Sequence, residues 1–555
     1  MAPPETNCRG ALLLAQRAAR GEITITYRIS RLLPRGHDVH PVAPPIPAPE
    51  TPGAYPRRWL ALSVLCLSLL IVTLDNTVLN VVLPTLVRTM HATSTDLQWV
   101  VDAYALVFGG LLLTAGSVAD RVGRKLTLLA GLITFAGGST WAALSGSTGM
   151  LIAARASMGV GAALIMPSTL AIITHMFTGH RERQLAIGLW SATSGLGIGL
   201  GPIVAGVLLT HFWWGSVFLI NVPVAAIAVA LALPVIPGSK NPAAKRPDPA
   251  GALLSMAGLG IMLWALIEAP SHGWTSALVL GAGGGGLALL GLFAVWERVC
   301  SHPMLNLGFF RRRQFTIAIA ALGLAMFGLL GSLFLLTQFL QFQLGFTPLE
   351  AGVRLLPMAG GIALFAPLST AAVRVVGAKW TASAGLLLIA AGLWQVSTAS
   401  VGTSYTGTLA GMILIGIGTG MTLPSATESV MGSLPSGDTG VGSATSGTSM
   451  QFGGALGVAI IGSLLSTRYQ DRMIPPLAPY RLPAQIENTI LGGIGEAFGV
   501  AKKVGGVTGS HLTHLARSAF VSGMDLGLLT AAAVVLGAAV LTLCLLPGRG
   551  GTGQD

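Results

Sequence analysis

Fourteen predominantly apolar runs, most of them twenty residues or longer, recur along this chain, and they constrain its fold more than any other feature. They fall roughly at 59–86, 97–118, 126–146, 149–176, 184–210, 214–236, 250–269, 276–297, 315–342, 349–373, 379–399, 405–431, 441–466 and 519–546. About 20 residues of helix cross a bilayer. Backbone groups find no partners in lipid, so spans of this kind must be helices. Only 9% of the residues are charged, against roughly 25% in soluble domains. The class is therefore an all-α polytopic membrane protein. The eighth run is unusual in containing Gly281–Gly286, nearly all glycine.

The formal net charge of +12 invites a nucleic-acid reading, but its placement argues for topology. With the N-terminus inside, the inner segments hold 17 Lys and Arg, while the short outer loops hold only Arg88. That asymmetry is the positive-inside pattern. It predicts cytoplasmic N and C termini and no nucleic-acid partner. Residues 1–56 hold scattered arginines and then a Pro-rich tract, which reads as a disordered cytoplasmic tail. One outer loop is long, 467–518. Its first part is Pro-rich, and 485–504 reads as a short helix, a re-entrant hairpin or a passive connector. The cysteines Cys8, Cys66, Cys300 and Cys544 are scattered, so no disulfide framework or metal site is readable.

The chain also repeats itself. Gly159-x-Gly161-x5-Pro167-Ser168 in the fourth span recurs as Gly416-x-Gly418-x5-Pro424-Ser425 in the twelfth. Ser191–Gly195 in the fifth recurs residue for residue at Ser443–Gly447 in the thirteenth, and Arg121–Lys125 has an echo at Val375–Lys379. Copies separated by an even number of spans face the same way, which is a parallel repeat about an axis along the membrane normal. The expected domains are a six-helix bundle at 57–236, two inserted helices with linkers at 237–314, a second six-helix bundle at 315–546, and a tail at 547–555. A site near the midplane between the bundles is the geometric consequence.

Several motifs then carry a resemblance. Gly116–Lys125 puts four charged residues between two apolar runs. Leu74–Pro84 in the first span, Gln98–Tyr104 at the start of the second, Arg155-x3-Gly159 in the fourth, and Gly195–Pro202 with Gly206 in the fifth follow in order. Together they resemble the major facilitator superfamily, and within it the fourteen-helix drug:proton antiporter branch, the EmrB/QacA-like families. The resemblance implies the major facilitator fold: two six-helix bundles plus two inserted central helices. It also implies that Arg155 assists proton exchange, and that Gly195, Gly199, Gly201, Pro202 and Gly206 form an antiporter helix. The loop with Gly116, Asp120, Arg121, Gly123 and Arg124 would act as an inner latch, Asp120 touching the opposite bundle in one state; topological charge alone is the plainer reading. Related exporters often carry an acid and a base early in span 13, where this chain reads Ser446–Gln451 with neither.

Individual residues admit two readings each. Asp75 lies sixteen residues past Trp59, about 24 Å along a helix. An acid at that depth lines a cavity, pairs with a base or carries a proton; a structural hydrogen bond is the alternative. Arg155 needs a partner or water, with Asp75 and Asp102 both within the same outer band, or else snorkels outward. Asp102 reads as a proton-coupling residue or a wetted interfacial acid. Glu428 and Glu268 carry the same pair of readings. The Gly195–Pro202 run reads as a tight, bendable seam or as plain packing glycine.

These features point to secondary active export of amphiphilic small molecules through the cytoplasmic membrane in exchange for protons. Narrow export of a self-made natural product is the alternative, and a membrane-embedded transferase the different-class one. No Gly-x4-Gly-Lys-Ser/Thr loop is present. No enzyme activity, catalytic residue, metal or cofactor is expected. The partners are the substrate, protons and the lipid bilayer; an accessory envelope protein is left open.

Overall fold

The computed structural model describes residues 55–240, 247–435 and 439–547. Residues 1–54, with nearly all of the expected tail, lie outside the described residues, as do Lys245, Arg246 and Arg549 of the basic count and 548–555. Fourteen described helices are long and apolar enough to span a membrane. Spans 1–6 are Arg58–Met90, Ser94–Val122, Arg124–Ala143, Thr148–Met176, Arg181–His211 and Ser216–Val235. Spans 7 and 8 are Pro249–His272 and Ala277–Val299. Spans 9–14 are Arg313–Gln343, Pro348–Val376, Ala378–Ser397, Tyr405–Gly432, Gly440–Tyr480 and Gly506–Leu545. They alternate in direction, which puts Gly116–Lys125 on one face of the molecule, here the charged face, and Arg88 on the far face. Exposed tryptophans mark both levels: Trp59, Trp296 and Trp380 at one, Trp141, Trp213 and Trp394 at the other, as interfacial belts do.

The internal repeat is a repeat of packing. A methyl on Gly159 would lie 2.8 Å from the Tyr104 carbonyl oxygen of span 2, and one on Gly161 would lie 2.7 Å from the Phe135 nitrogen of span 3. In the second half a methyl on Gly416 would collide with the Met358 carbonyl oxygen of span 10, and one on Gly418 with the Gly385 carbonyl oxygen of span 11. Only a residue without Cβ allows backbones this close. Spans 2 and 10 also open alike. Thr93 and Asp96 form a reciprocal capping box, and so do Thr347 and Glu350. Each ends in a one-residue glycine turn, Gly123 at φ +131° and Gly377 at φ +95°. A side chain there would be strained. Two six-helix bundles result, as the sequence implies.

Span 7 sits against spans 2 and 13. Met256 packs over Gly110, and Ser463 Oγ donates to the Leu266 carbonyl at 2.6 Å. Span 8 packs mainly on span 7, with most of its surface turned outward.

The expected long outer loop is corrected by the structure. Span 13 stays helical to Tyr480, through Pro475 and Pro476, and two short helices follow, Ala484–Gly492 and Ile494–Val504. Two adjacent prolines remove hydrogen bonds to the preceding turn and strain it, and the burial of Tyr469, Met473 and Leu477 offsets that cost by continuing the helix. The short helices form a hairpin whose Ile490, Ile494, Ala497 and Ala501 are buried. The hairpin covers the far face where the halves meet: Gly495 lies against Val87 of span 1 and Phe342 of span 9, and Gly493 against Ser94. Of the readings of 485–504, the structure shows the helical one, as two short helices rather than one.

The bundles meet at the far face and part toward the charged face. Gln341 Nε2 donates to the Val81 carbonyl at 2.9 Å across the seam, from a π-helical turn at Phe339–Gln343. A methyl on Gly352 of span 10 would lie 2.2 Å from the Pro202 carbonyl oxygen of span 5, and one on Gly206 would lie 2.5 Å from Leu349 Cα. Nearer the charged face, Gly188 and Gly195 have nothing within 4 Å, and Leu364 and Leu368 of span 10 are exposed.

A buried ion pair beside a cavity between the bundles

Asp75 and Arg155 meet inside the first bundle. Arg155 Nη1 donates to Asp75 Oδ2, and the two side chains are 1% and 2% exposed for Arg155 and Asp75 respectively. Arg155 Nε donates to the Val100 carbonyl at 3.2 Å, and its guanidinium stacks 4.3 Å from the Tyr104 ring centroid. On the other side Asn221 Nδ2 donates to Asp75 Oδ1 at 3.4 Å and to Ser139 Oγ at 2.9 Å. Spans 4 and 6 thus hold one carboxylate of span 1, and spans 2 and 3 hold those two partners in turn. A planar guanidinium donates in its plane to two neighbours while its face stacks on a third, a geometry a compact ammonium does not offer. The snorkelling reading of Arg155 is corrected: its charge is satisfied inward, and nothing draws it to the interface. A buried pair is costly to desolvate and weak evidence for stability by itself; its depth between the ends of spans 1 and 4 makes it the candidate functional group.

Asp102 does not join this pair. It is fully buried, and neither carboxylate oxygen has a hydrogen-bond partner among the described residues. The wetted-interface reading is therefore corrected. Asp102 lies one turn from Gln98 and two from Gly109, the face of span 2 that packs on span 13. Gln98 meets Gly462 and accepts from Ser463 Oγ at 3.3 Å, and Gly109 meets Phe452. The acid thus sits in the seam between bundles, which the primary sequence of span 2 could not reveal. Glu428 is exposed near the charged end of span 12, apart from both acids. Glu268 pairs with His272 at 3.6 Å at the far end of span 7, in line with its interfacial reading.

The small residues of span 5 divide their work. Methyls on Gly197 and Gly201 would collide with Thr73 Oγ1 and Thr77 Oγ1 of span 1, at 2.1 and 1.9 Å. Gly199, Pro202 and Gly206 face span 10, whereas Gly195 lies where the bundles have parted. Gly197 packs on span 1 as closely as Gly201 does.

On the charged face, Asp120 accepts from Arg124 at 2.7–2.8 Å, and Arg124 also donates to the Ala171 carbonyl at 3.2 Å. The Arg124 amide bonds Ser239 O at 3.1 Å, and Lys125 caps the Leu233 carbonyl at 2.6 Å. Arg121 is exposed, and Gly116 packs near Pro167. Asp120 is thus held within its own bundle here.

Between the bundles lies a small cavity of about 100 Å³. Thr73 and Asn76 of span 1 and Ile198 of span 5 face Met326, Met358 and Gln451 of spans 9, 10 and 13. Asn76 adjoins Asp75 in sequence, so the cavity and the ion pair share span 1. Asn221, Tyr104 and Gln451 are the residues the sequence reading missed. A lone amide in the apolar sixth span was the available signal for Asn221; the others depend on helix packing. Among the described residues no group of three or more His, Cys, Asp or Glu side chains is placed to hold a metal ion.

The sequence model of the Major Facilitator Superfamily matches residues 65–458. The chain is 34% identical to the "Multidrug efflux pump LfrA" of Mycolicibacterium smegmatis over 89% of its length and 97% of that protein. It is 31% identical to the "Tetracenomycin C resistance and export protein" of Streptomyces glaucescens, covering 88% and 92% of the two chains. It is 32% identical to the "Methyl viologen resistance protein SmvA" of Salmonella typhimurium, covering 86% and 96%. A bacterial homologue of the human lysosomal transporter Spinster, solved inward-facing and occupied, shares the fold with TM-score 0.60 at 17% identity, over 88% of this chain and 97% of that one. This multi-pass membrane protein belongs to the major facilitator superfamily.

Proposed function

We propose that the chain exports amphiphilic small molecules across the cytoplasmic membrane by alternating access, driven by inward proton flow. The observation that carries this is the fully buried Asp75–Arg155 pair on the same span as a cavity shared by both bundles. The multidrug and antibiotic exporters to which the chain is similar support the direction of transport. The charged face is read as cytoplasmic, with both termini there. The bundles are 57–236 and 315–546, joined through the inserted segment 237–314. The described state is then open inward and closed outward.

Arg155 holds Asp75 as a carboxylate. A proton arriving from outside neutralises Asp75, frees Arg155 to rest on Tyr104 and Val100, and loosens span 1 from spans 4 and 6. Asp102, buried without a partner, takes a proton when spans 2 and 13 close over it. Span 5 slides on span 1 through Gly197 and Gly201 and seals against span 10 through Gly199, Pro202 and Gly206. Asp120, Arg121 and Arg124, with turns at Gly116 and Gly123, reach the opposite bundle when the inner side closes. Glu428 receives protons at the inner mouth. The protein moves its substrate without covalent chemistry. A membrane potential supplies about 2.3 kcal/mol per charge per 100 mV.

The test is accumulation of fluorescent cationic and neutral compounds in pump-deficient bacteria. Wild-type chain lowers accumulation, and both a protonophore and Asp75→Asn abolish the effect. Unchanged accumulation of every compound by the wild type would refute broad export.

A further inference from the structure

We infer that Asp248 and Glu297 form a proton-binding site at the charged-face end of the two inserted spans: the two carboxyls share one proton, and that proton keeps the linker into span 9 clasped to them. The site is separate from the Asp75–Arg155 pair and from the cavity between the bundles, and it does not rest on the export reading.

Asp248 caps the start of span 7, and Glu297 lies in the last turn of span 8. Both are buried, at 5% and 3% exposure. Gly251 lets them approach: a methyl there would lie 2.5 Å from Asp248 Oδ2 and 2.7 Å from Glu297 Oε1. Three of the four oxygens accept from N–H groups. The Gly251 amide donates to Asp248 Oδ1 at 2.9 Å, and Trp296 Nε1 donates to Oδ1 and Oδ2 at 3.1 and 2.9 Å. The Leu305 amide of the linker donates to Glu297 Oε2 at 3.0 Å, with the Met304 amide beside it. The fourth oxygen, Glu297 Oε1, is buried and has no donor. The Asp248 side chain is the hydrogen-bonding neighbour of that carboxyl. A proton on Oε1, donating to Asp248 Oδ2, satisfies the orphaned atom and leaves every other bond in place.

Two buried carboxylates this close cannot both ionise without a cation between them. Among the described residues no Lys, Arg or His forms an ion pair with either. Arg298 of span 8 and Arg311 beyond the linker are exposed, and His302 is exposed and bonded to Ser301. On span 2, Arg121 is exposed and Asp120 is engaged by Arg124. Lys240, ahead of span 7, lies against Gly123. Span 13 carries no ionisable side chain between Gly440 and Thr467. The consequence falls on the linker. Its Met304 Sδ accepts from Thr114 Oγ1 of span 2 at 3.5 Å, so residues 301–306 tie the first bundle and the inserted spans to the start of span 9. Losing the proton sets two like charges beside Gly251, and the backbone bond to Leu305 is the one free to part.

The test is hydrogen exchange of the 301–306 amides in the full chain, held in lipid nanodiscs and followed across a pH series. After correction for the intrinsic chemical rate, opening of the wild-type linker rises with pH, by at most about tenfold per unit for one linked proton, and levels off once the pair has ionised. Glu297→Gln keeps an acceptor for Leu305 and puts a permanent N–H donor toward Asp248, so its linker stays protected with no pH slope. Glu297→Ala exchanges fast at every pH, which separates loss of the clasp from loss of the proton. Infrared difference spectra of the wild type, which need no variant to fold, show a buried protonated carboxyl ionising over the same pH range as the linker opens. A pH slope in Glu297→Gln equal to that of the wild type overturns the proposal. So does a wild-type linker whose protection is flat with pH. Protection of the wild-type linker at high pH by added sodium or calcium, absent in Glu297→Gln, would make the pair a cation site and also overturn the shared proton.

Discussion

Arg155 of span 4 holds the Asp75 carboxylate of span 1 with one guanidinium nitrogen and the Val100 carbonyl of span 2 with another. The same guanidinium covers Tyr104. One side chain thus ties three spans of the first bundle to a single acid at mid-membrane depth, and the charge on that acid decides how firmly they are tied.

Removing the base should therefore hurt more than removing both charges. Arg155→Ala leaves Asp75 buried without its partner and is expected to cost about 3–5 kcal/mol of stability. The double variant Asp75→Asn with Arg155→Gln should recover most of that loss, while neither exports. Thermal unfolding of the purified proteins reads the difference. Equal melting temperatures for Arg155→Ala and the double variant would mean the pair is not coupled.

Gly206 faces the Leu349 backbone where spans 5 and 10 close the far face. A bulky side chain there props that seam open. Gly206→Leu should bind substrate but fail to export, and it should raise labelling of a cysteine placed at Ile198 by a membrane-impermeant reagent from outside severalfold. Labelling equal to the Gly206 parent would show that the seam does not gate access.

The two glycine turns make the internal repeat testable. Gly123 and Gly377 both hold positive φ, 254 residues apart in the chain. Alanine at either costs about 1–3 kcal/mol through backbone strain. Only Gly123→Ala should impair export beyond its effect on stability, because only that turn carries the Asp120–Arg124 pair. Melting curves and export assays on the two variants separate strain from gating.

The far-face hairpin carries its own pH dependence. Burial, with the Asp96 charge second, lifts the Glu496 carboxyl from the usual range to about 8. Asp96 of span 2 and Tyr469 of span 13 face it. A carboxyl that keeps its proton when folded but loses it at ordinary pH when released stabilises the docked hairpin at low pH. That contribution falls as pH rises from the ordinary glutamate range and is gone above about 8. Hydrogen exchange across Ile494–Val504 should accelerate between pH 6 and pH 9 in excess of the intrinsic chemical rate, with the Glu496→Gln chain free of that excess.

Much of this architecture is legible in the sequence because lipid makes it so. A bilayer forbids open backbone, so apolar run length alone places the spans, and the small-residue repeats mark where backbones touch. Asp75 and Arg155 are legible for the same reason: each is too deep to stand without a partner. Asp102 is not, because its burial comes from span 13, hundreds of residues away. Gln451 reads as a mere departure from the expected span 13 pattern until spans 1, 5, 9 and 10 are placed around it. A helix at 485–504 is legible, but the length of span 13 is not, because two prolines suggest a break while the buried face of Tyr469, Met473 and Leu477 carries the helix through.

The most direct test of proton coupling is proton movement itself. Full-length protein is reconstituted in proteoliposomes containing a pH-sensitive dye, and an exported substrate is added. The coupling reading predicts that substrate drives proton flow in the opposite direction through the wild type, and that Asp75→Asn still binds substrate but moves no protons. Proton flow at the wild-type rate in Asp75→Asn would contradict it.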